Sequence, residues 1–557
     1  MWNLYDQLSP EHKFDEALSQ YNRTLLQFLY NRDIREVSAI EQFLNPSLSF
    51  LSPITKLTNI KKIVDLIENS ISSGKRIYIH GDYDVDGMSA VAILWKYLHN
   101  VRKANVMPYI PDRVEEGYGL SESSLSFIYD KGVDLIITVD CGIRDHDIIE
   151  KWKDKNIDFI VTDHHQLPEV LPDCPIVHPE LSKDKVFSGI SGATVAWLLV
   201  CAMEYFSNKD EFSYTNVAGV DLVGISILSD VMDSRWINRH LLSAGMEQLR
   251  SSQRPGIVAL FRNSNLEPLK IKSEDLQFQI IPKLNAVGRI GDPLDAVRLL
   301  VTDSEQVAER YAQKISKVNE NRKEMSNQIA LMADKQIKVR GSELSIQWAV
   351  GEGWHEGIIG IVASKMSHQY NKTSVIIAKK PDVSTGSIRA VGDFSIVSLL
   401  EKLDDHLVRY GGHDKAAGFS IKSENIDNFM SLLENLVPKM SETPSQKLKA
   451  EMKLGVDELS MKLFLTESML EPFGDMNDKP LYWVNNAKVK DLKVVGGSHL
   501  RFTIYGDFNE IVCIAFGFGR LYNKIIDVSQ VDLLGYLDIN EWNGNQSLQF
   551  RVIDIEL

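Results

Sequence analysis

The sequence predicts an α/β protein: a parallel-sheet domain, a long connecting helix, a second α/β domain and a C-terminal β-barrel. Three observations lead to this fold class. From about residue 60, short apolar runs alternate with helical patterns, which is typical of a parallel sheet covered by helices on both faces. A charged run with helical apolar periodicity over residues 304–340 predicts one long helix. After residue 448, several short alternating segments predict a barrel.

The length and composition of the chain set limits on its organisation. A chain of 557 residues exceeds one hydrophobic core, so we expect several domains. The predicted segments are residues 1–300, 301–343, 344–440 and 445–557. Because the formal net charge is −15, polyanion binding would require local basic surface. The four cysteines include no Cys-x-x-Cys pair, which argues against structural zinc and fits a reducing cytosol.

Membrane insertion and secretion are not indicated by the sequence. The N-terminus lacks a basic stretch followed by an apolar one, so we expect no signal peptide. The longest apolar stretch, around Ala193 to Met203, is too short to span a bilayer. The sequence therefore predicts a cytoplasmic protein with no membrane partner.

A cluster of acids follows the first predicted strand of the parallel sheet. The apolar run Ile77–Ile79 leads directly into His80, and Asp82, Asp84 and Asp86 follow before a helical pattern begins. Three carboxylates at one strand end repel each other and stay ionised together only when cations neutralise them. This stretch therefore predicts a metal site in a strand–loop–helix unit.

Two other readings of this stretch are possible. From Asp82 the pattern also matches the start of an EF-hand calcium loop. That loop requires a preceding helix and a Glu at its twelfth position, where this chain has a predicted strand and Ile93. A solvated acidic turn would suffice for a lone Asp-x-Asp, but two later strand ends carry similar residues.

Those later strand ends complete a predicted metal constellation. The predicted strand at residues 134–139 is followed by Asp140, and the predicted strand at residues 159–162 is followed by Asp163-His164-His165. In open parallel sheets, ligands lie at the carboxyl ends of the strands. Carboxylates with one or two imidazoles and no thiolate suit manganese or magnesium, and the imidazoles favour manganese. So many acids suggest two ions, about 3.5–4 Å apart, that share a bridging carboxylate.

These motifs resemble the DHH phosphoesterase superfamily, and within it the RecJ-type single-strand-specific exonucleases. The first three motifs are His80-x-x-x-Asp84-x-Asp86, Asp140 and Asp163-His164-His165. The resemblance continues in the same order over nearly the whole chain, through four further blocks. These blocks begin at Ser229, Ile281, Trp354 and Gly411.

The resemblance implies a two-ion site. One ion would be bound by His80, Asp84 and Asp140, and the other by Asp86, Asp140, His164 and Asp230. Asp140 would bridge the two ions, Asp82 belongs to the same motif, and His165 would orient a neighbour or contact the scissile phosphate. The catalytic residues would be Asp84, Asp86, Asp140, His164 and His165.

The resemblance also implies a cleft between the two α/β domains. The residues expected to bind substrate are Arg113, Arg289, Ser387, Arg389, Gly411, Gly412 and His413. Arg113, Ser387 and Arg389 would hold a terminal 5′-phosphate, for which arginine is suited. The adjacent glycines would let backbone N–H groups approach a phosphate. The long helix would be either a solvated linker or a phosphate-facing wall; its basic residues are Arg310, Lys314, Lys317, Arg322 and Lys323.

The C-terminal strands resemble an OB-type barrel, a fold that often binds single strands. A packing domain without ligand contact is the alternative. Trp542 and Phe550 are the candidate exposed aromatic residues, and Asn543-Gly544 predicts a hairpin turn between the last two strands.

The resemblance implies a metal-dependent 5′-to-3′ exonuclease that releases mononucleotides from single-stranded DNA in repair and recombination. The expected partners are single-stranded DNA, a single-strand-binding protein and a helicase. The alternatives are a phosphodiesterase acting on short RNA or cyclic dinucleotides, whose relatives are shorter, and a non-catalytic replication scaffold, which would be expected to have lost ligands. The preference between DNA and RNA stays open.

Overall fold

A computed structural model describes residues 2–9, 14–182, 184–341, 344–437, 448–542 and 544–557. The chain forms two compact units. The first unit comprises Met1–Leu51, Val231–Ala244 and Gln446–Leu557, and the second comprises Ser52–Asp230 and Gly245–Ser445. Within the described ranges, no helix is both long and apolar enough to cross a membrane.

The strands and helices are numbered in chain order, and short 3₁₀ and π-helical turns are left unlabelled. The strands are β1 (Asn3–Leu4), β2 (Ile77–Gly81), β3 (Val106–Tyr109), β4 (Leu135–Val139), β5 (Asp158–Thr162), β6 (Ile176–Val177), β7 (Ile346–Glu352), β8 (Thr373–Lys379), β9 (Val383–Arg389), β10 (Arg409–His413), β11 (Ala416–Lys422), β12 (Lys449–Ala450), β13 (Met452–Leu454), β14 (Tyr482–Val495), β15 (His499–Tyr505), β16 (Glu510–Ala515), β17 (Val531–Trp542) and β18 (Asn545–Glu556). The helices are α1 (Arg23–Asn31), α2 (Val37–Leu44), α3 (Ile60–Ser72), α4 (Val85–Lys96), α5 (Glu122–Asp130), α6 (His146–Lys153), α7 (Gly192–Ser207), α8 (Val220–Ser229), α9 (Trp236–Arg250), α10 (Pro255–Arg262), α11 (Ser273–Asp275), α12 (Ile281–Ile290), α13 (Leu294–Val301), α14 (Glu305–Arg340), α15 (Glu356–Tyr370), α16 (Ile396–Glu401), α17 (Ile426–Leu436), α18 (Met461–Ser468) and α19 (Tyr522–Ile526).

The first sheet of the second unit is parallel throughout, as the sequence predicts. Its strand order is β3-β2-β4-β5-β6. The chain runs from β2 to β3 on one side and then crosses to β4 on the other, so strand order reverses between β2 and β4. Gly81 pairs with Val139, and Val139 pairs with Thr162, so the carboxyl ends of β2, β4 and β5 are level. Ligands of open α/β sheets bind at such a reversal point.

The predicted long helix is confirmed as α14. Its 36 residues span about 54 Å at 1.5 Å per residue. Ser304 caps it by accepting a hydrogen bond from Val307 N, and Gly341 follows its last residue. Its buried small and branched side chains, such as Ala312, Ile329 and Ala333, let other helices pack closely along its length.

The second α/β domain has a mixed sheet of order β10-β11-β9-β8-β7. Strands β7 and β8 pair in parallel, and the other pairs are antiparallel. Helix α15 connects β7 to β8, and its buried Ile359 and Val362 pack in one cluster with Ile376 of β8. Strand β10 is therefore an edge strand on the side away from β7.

The C-terminal strands close into a five-stranded barrel, which confirms the predicted OB-type domain. The order β14-β15-β16-β18-β17 is closed by pairing of β17 with β14. Phe550 is fully buried with Tyr482 and Phe502 in the barrel core, so its expected exposure was wrong. The Trp542 side chain and the residue Asn543 lie outside the described set.

Residues 1–51 belong to the same unit as the barrel, whereas the sequence grouped them with residues 52–300. The apolar faces of α1 and α2, including Leu25, Phe28 and Phe43, join the cluster that contains Phe502 and Phe550. Burial of this shared apolar surface stabilises both parts together. The predicted four-segment division stays a prediction.

Candidate metal centre and substrate cleft

The loop after β2 is folded tightly against the start of α4. Asp84 caps α4, because its Oδ1 accepts hydrogen bonds from Asp86 N at 2.9 Å and Gly87 N at 3.1 Å. A Cβ at position 87 would lie 2.5 Å from the Asp82 carbonyl oxygen, so glycine is required there. The helix terminus therefore holds Asp84 and Asp86 in fixed positions at the sheet edge.

Asp140 occupies a special backbone conformation at the end of β4. Its φ of 61° lies in the left-handed region, which Asp and Asn tolerate better than other residues with a Cβ. Asp140 N donates to Thr162 O at 3.0 Å, and the Tyr118 hydroxyl donates to Asp140 O at 3.2 Å. These contacts hold the Asp140 carboxylate at the point where strand order reverses.

The structure brings the predicted ligands together. Among the described residues, three groups each have potential ligand atoms within 4.8 Å of one another. These groups are Asp82–Asp84–Asp140, Asp86–His164–Asp230 and Asp140–His164–His165. Asp140 and His164 each belong to two groups, so they lie centrally in the site.

Orphaned buried atoms indicate that this site fits metal ions. The buried polar atoms without a hydrogen-bond partner include His80 Nε2, Asp82 Oδ1, Asp140 Oδ1 and His164 Nε2. Such atoms cost free energy unless a ligand satisfies them. His164 Nε2 lies 3.1 Å from Asp140 Oδ1 without hydrogen-bond geometry. Two ligands of one octahedral ion bound at about 2.1 Å would be separated by a similar distance.

The carboxylates destabilise one another in the absence of a cation. Burial raises the pKa of Asp82, Asp84 and Asp140, and repulsion from neighbouring carboxylates raises it further. Burial, followed by repulsion from Asp86 and Asp84, raises the pKa of Asp230 to about 8. A divalent cation reverses this effect by stabilising the ionised forms.

Asp86 is held differently from the other acids. Its carboxylate accepts hydrogen bonds from Gly192 N and Ala193 N, both at 2.7 Å, and from Ser226 Oγ at 2.6 Å. The N-terminus of α7 therefore stabilises its charge. His164 Nε2 lies 3.6 Å from Asp86 Oδ2 and 3.6 Å from Asp230 Oδ2, so these three residues face one point.

His80 lies at the same sheet edge but is not a member of the three groups of described residues. Its ring is fully buried, stacks on Tyr109 at 5.3 Å and lies 3.7 Å from Cys141 Sγ through Nδ1. Burial lowers the pKa of His80 to about 4. Its neutral imidazole, with Nε2 unpaired, suits a metal ligand.

His165 is held by Asp163, whose carboxylate contacts none of the side chains predicted to bind metal. His165 Nδ1 lies 2.8 Å from Asp163 Oδ1, and Asp163 Oδ2 accepts from Ile143 N at 3.0 Å. Burial alone would lower the pKa of His165, but Asp163 raises it to about 9. An imidazolium at this place can contact an anionic phosphate oxygen.

Tyr118 is a site residue that sequence reasoning missed. Its hydroxyl lies 3.0 Å from His165 Nδ1, in addition to its contact with Asp140 O. It lies in a loop without periodicity. The flanking residues Gly117 and Gly119, both with φ of 83°, were the available signal of a tight turn.

An arginine cluster lies in the cleft between the two α/β domains of this unit. Arg113 and Arg289 line a cavity of about 380 Å³ together with His355. Burial, and then nearby positive charges, lower the pKa of Arg289 to about 10. The cations responsible are Arg113, Arg322 and Arg389. Asp84 offsets part of this repulsion, and an anion in the cleft would offset the rest, so these partly buried arginines indicate a phosphate site.

The arginines come from different elements. Arg389 at the end of β9 donates through Nε to Ser364 Oγ at 2.9 Å and through Nη1 to Ser387 Oγ at 3.3 Å. Of the basic residues on the long helix, Arg322 faces this cluster, whereas Lys314 forms an ion pair with Asp295 at 2.6 Å. Both interpretations of the helix stay predictions, and Arg322 is the basic residue of the helix whose charge acts on Arg289 of this cluster.

Gly411, Gly412 and His413 lie in the exposed edge strand β10. Gly411 pairs with Gly418, and Gly418 pairs with Ser387. Gly411, Gly418 and Ser387 therefore share one face of the sheet. Because positions 411 and 418 lack side chains, this face has a bare strip beside Ser387. The strip provides open backbone next to the arginine cluster. Some of the N–H groups that are expected to approach a phosphate instead form hydrogen bonds with β11.

Fold and site together define a DHH-type phosphoesterase architecture, and three family models match the chain. They are "DHH family, N-terminal domain" over residues 76–225, "DHHA1 domain" over 326–439 and "RecJ OB domain" over 450–554. The single-stranded-DNA-specific exonuclease RecJ of Salmonella typhimurium is 30% identical over 558 residues, covering 95% of both chains. The chain therefore belongs to the RecJ family of single-stranded-DNA-specific exonucleases.

Further relatives support this assignment. RecJ of Bacillus subtilis is 31% identical over 511 residues, covering 90% of this chain, and the chain spans 63% of that relative's length. The crystal structure of Thermus thermophilus RecJ with Mn²⁺ has a TM-score of 0.83 and 26% identity over 97% of this chain and 77% of that chain. A second T. thermophilus structure contains Mg²⁺, with a TM-score of 0.78. The two T. thermophilus structures thus contain the two kinds of ion that the ligand types of this chain predict.

Proposed function

We propose that this protein hydrolyses single-stranded DNA from the 5′ end and releases mononucleotides. The observation that carries the proposal is the convergence of Asp82, Asp84, Asp86, Asp140, His164 and Asp230 at the sheet edge beside an arginine cluster. Two Mn²⁺ or Mg²⁺ ions bound there would activate a water and neutralise charge on the phosphodiester.

The chain's own residues divide into three roles. The first group would position the ions: one would be held by His80, Asp84 and Asp140, and the other by Asp86, Asp140, His164 and Asp230. His165, oriented by Asp163, contacts a non-bridging oxygen of the scissile phosphate. Arg113, Arg289 and Arg389 hold the 5′-phosphate, because guanidinium groups bind phosphate oxygens in pairs.

The alternatives differ in substrate or in activity. A phosphodiesterase of short RNA or dinucleotides would not need a barrel, and a scaffold would not need a complete ligand set. The test is degradation of end-labelled DNA and RNA, single- and double-stranded, with Mn²⁺ or Mg²⁺. We expect the 5′ label of single-stranded DNA to be released first as a mononucleotide. Preferential cleavage of dinucleotides, or no cleavage, would favour one of the alternatives.

The barrel carries a basic and aromatic row that supports binding of a long strand. Arg501, Ile514, Arg551 and Tyr536 are neighbours across β15, β16, β18 and β17. The Arg551 guanidinium lies 4.9 Å from the Phe516 ring centroid and 5.8 Å from that of Tyr536. Alternating residues of these strands fill the core, so this row points outwards. Arginine beside aromatic rings suits stacked bases and their phosphates.

Arg551→Ala is expected to weaken binding of a long single strand and to reduce its salt dependence. Loss of one phosphate contact should lower the log–log salt slope by about 0.7. The measurement is fluorescence anisotropy of a labelled strand at several salt concentrations, with the exposed Lys524→Ala on α19 as the control. An unchanged slope for Arg551→Ala would mean that this row does not contact DNA. A point variant is the sharper test, since deletion of residues 448–557 would expose the apolar faces of α1 and α2.

Three further expectations accompany this function. A role in DNA repair and recombination and association with a single-strand-binding protein and a helicase stay predictions from the resemblance, and a cytoplasmic location stays a prediction from the sequence.

A further inference from the structure

Trp236, the first residue of α9, combines two unusual properties within the first unit. Its φ is 49°, in the left-handed region, which is strained for a bulky side chain. Its side chain is also 51% exposed. Folding alone favours neither property, because a buried ring or a glycine would be more stable at this position.

The loop before Trp236 is fixed by several hydrogen bonds. Arg235 donates through Nη2 to Asp233 Oδ2 at 2.8 Å and through Nη1 to Arg32 O at 2.7 Å. Ser234 N donates to Asp475 O at 2.9 Å. These contacts hold the strained conformation in place, as is common at functional sites.

A small cavity of about 140 Å³ lies beside the Trp236 ring. Its other lining residues are Ile34, Ser38, Ala39, Gln42, Phe43, Arg239 and His240. This volume is well below that of a site for a whole small-molecule ligand, so it admits one flat ring or one side chain. A further half-exposed ring, Phe50, lies 5.3 Å from His240.

The charge around the cavity favours an anionic partner. Arg239 is the charged residue of the lining, since burial lowers the pKa of His240 to about 4 and leaves its ring neutral, and none of the lining residues is acidic. The Arg239 guanidinium packs over the Phe43 ring at 4.0 Å and donates to backbone carbonyls such as Phe43 O at 3.0 Å. The cavity therefore offers an aromatic wall with positive charge behind it, which is the combination that single-stranded nucleic acid recognises.

We propose that Trp236 and this cavity form a stacking site for one unpaired base of the DNA strand. The inference rests on the proposed function and adds an attachment point distinct from the metal centre and the barrel row. Stacking on a ring face tolerates any base, as an exonuclease that acts on every sequence requires. The exposed, strained tryptophan is then explained by the binding step and not by folding.

The left-handed φ allows an unusually clean test, Trp236→Gly. Glycine adopts this φ without strain, so the melting temperature should be equal or higher, while the ring is lost. We expect the KM and the Kd for a 20-nucleotide strand to rise about tenfold with kcat unchanged, which corresponds to one stacked base. Trp236→Phe should recover most of the affinity, and quenching of a 2-aminopurine-labelled strand should be lost in Trp236→Gly.

The control is Phe508→Ala, which removes a more exposed ring of the same unit and should leave the KM unchanged. A wild-type KM and wild-type quenching in Trp236→Gly would overturn the inference, and the cavity would then fit a protein side chain instead. Should Trp236→Gly unfold, Trp236→Asn tests the same point, because Asn also tolerates this conformation. Failure of the wild-type protein to degrade single strands would instead overturn the proposed function. The activity of the wild-type protein therefore tests that function separately from the Trp236 variants.

Discussion

Replacing Asp140 with Asn is expected to lower kcat on single-stranded DNA by about 1,000-fold or more. Asp140 belongs to two of the three potential ligand groups, so loss of its charge should weaken the binding of both ions. Several kcal/mol of transition-state charge stabilisation would be lost with them. Asn is the appropriate substitution because it tolerates φ of 61°, whereas Ala would add backbone strain. The measurement is release of labelled mononucleotides under saturating Mn²⁺.

Thermal unfolding with and without Mn²⁺ checks the same assignment without catalysis. Binding to the folded state at 100 times Kd stabilises a protein by about 2.7 kcal/mol. We expect the wild-type protein to gain a higher melting temperature in Mn²⁺ and Asp140→Asn to lose most of this gain. The matched control is Asp130→Asn at the exposed end of α5, which should behave as wild type. Near wild-type turnover in Asp140→Asn would contradict the bridging role.

Replacing Arg389 with Ala should raise the KM about 10- to 100-fold and blur the size of the released product. A hydrogen bond from a charged group to its partner contributes about 1.5–3 kcal/mol, and each 1.4 kcal/mol corresponds to a factor of ten. The contact between Arg389 and the 5′-phosphate sets how far the strand enters the cleft. Loss of this contact should therefore allow cleavage at neighbouring phosphodiester bonds. The kcat should fall less than in Asp140→Asn, since Arg389 is not a metal ligand.

Strands with a 5′-phosphate and with a 5′-hydroxyl separate this role from general binding. Arg389→Ala should raise the KM for the 5′-phosphorylated strand and leave the KM for the 5′-hydroxyl strand unchanged. This dependence of the effect of Arg389→Ala on the 5′-phosphate identifies the contact between them. Lys379→Ala is the control, since Lys379 belongs to the same domain and pairs with Glu352. Degradation from the 3′ end, or equal rates on blunt duplex, would contradict the arrangement of the cleft while leaving the metal site intact.

The metal site could be predicted from the sequence because its signals are local. Asp84, Asp140 and His164 each lie within three residues of the end of a short apolar strand, and parallel strands place their carboxyl ends at one edge of the sheet. The ligand types then indicated the metal. The order of elements, the long helix and the barrel also followed from periodicity along the chain.

Other features depended on contacts between residues distant in sequence, which periodicity does not encode. Tyr118 reaches His165 only after the loop folds back, and Arg322 becomes part of the arginine cluster only when α14 packs beside α12. Phe550 is a candidate for exposure by its residue type alone, but closure of the barrel buries it. Residues 1–51 join the barrel because their apolar faces complete its core, and a hydrophobic stripe in a sequence does not specify the surface on which it packs.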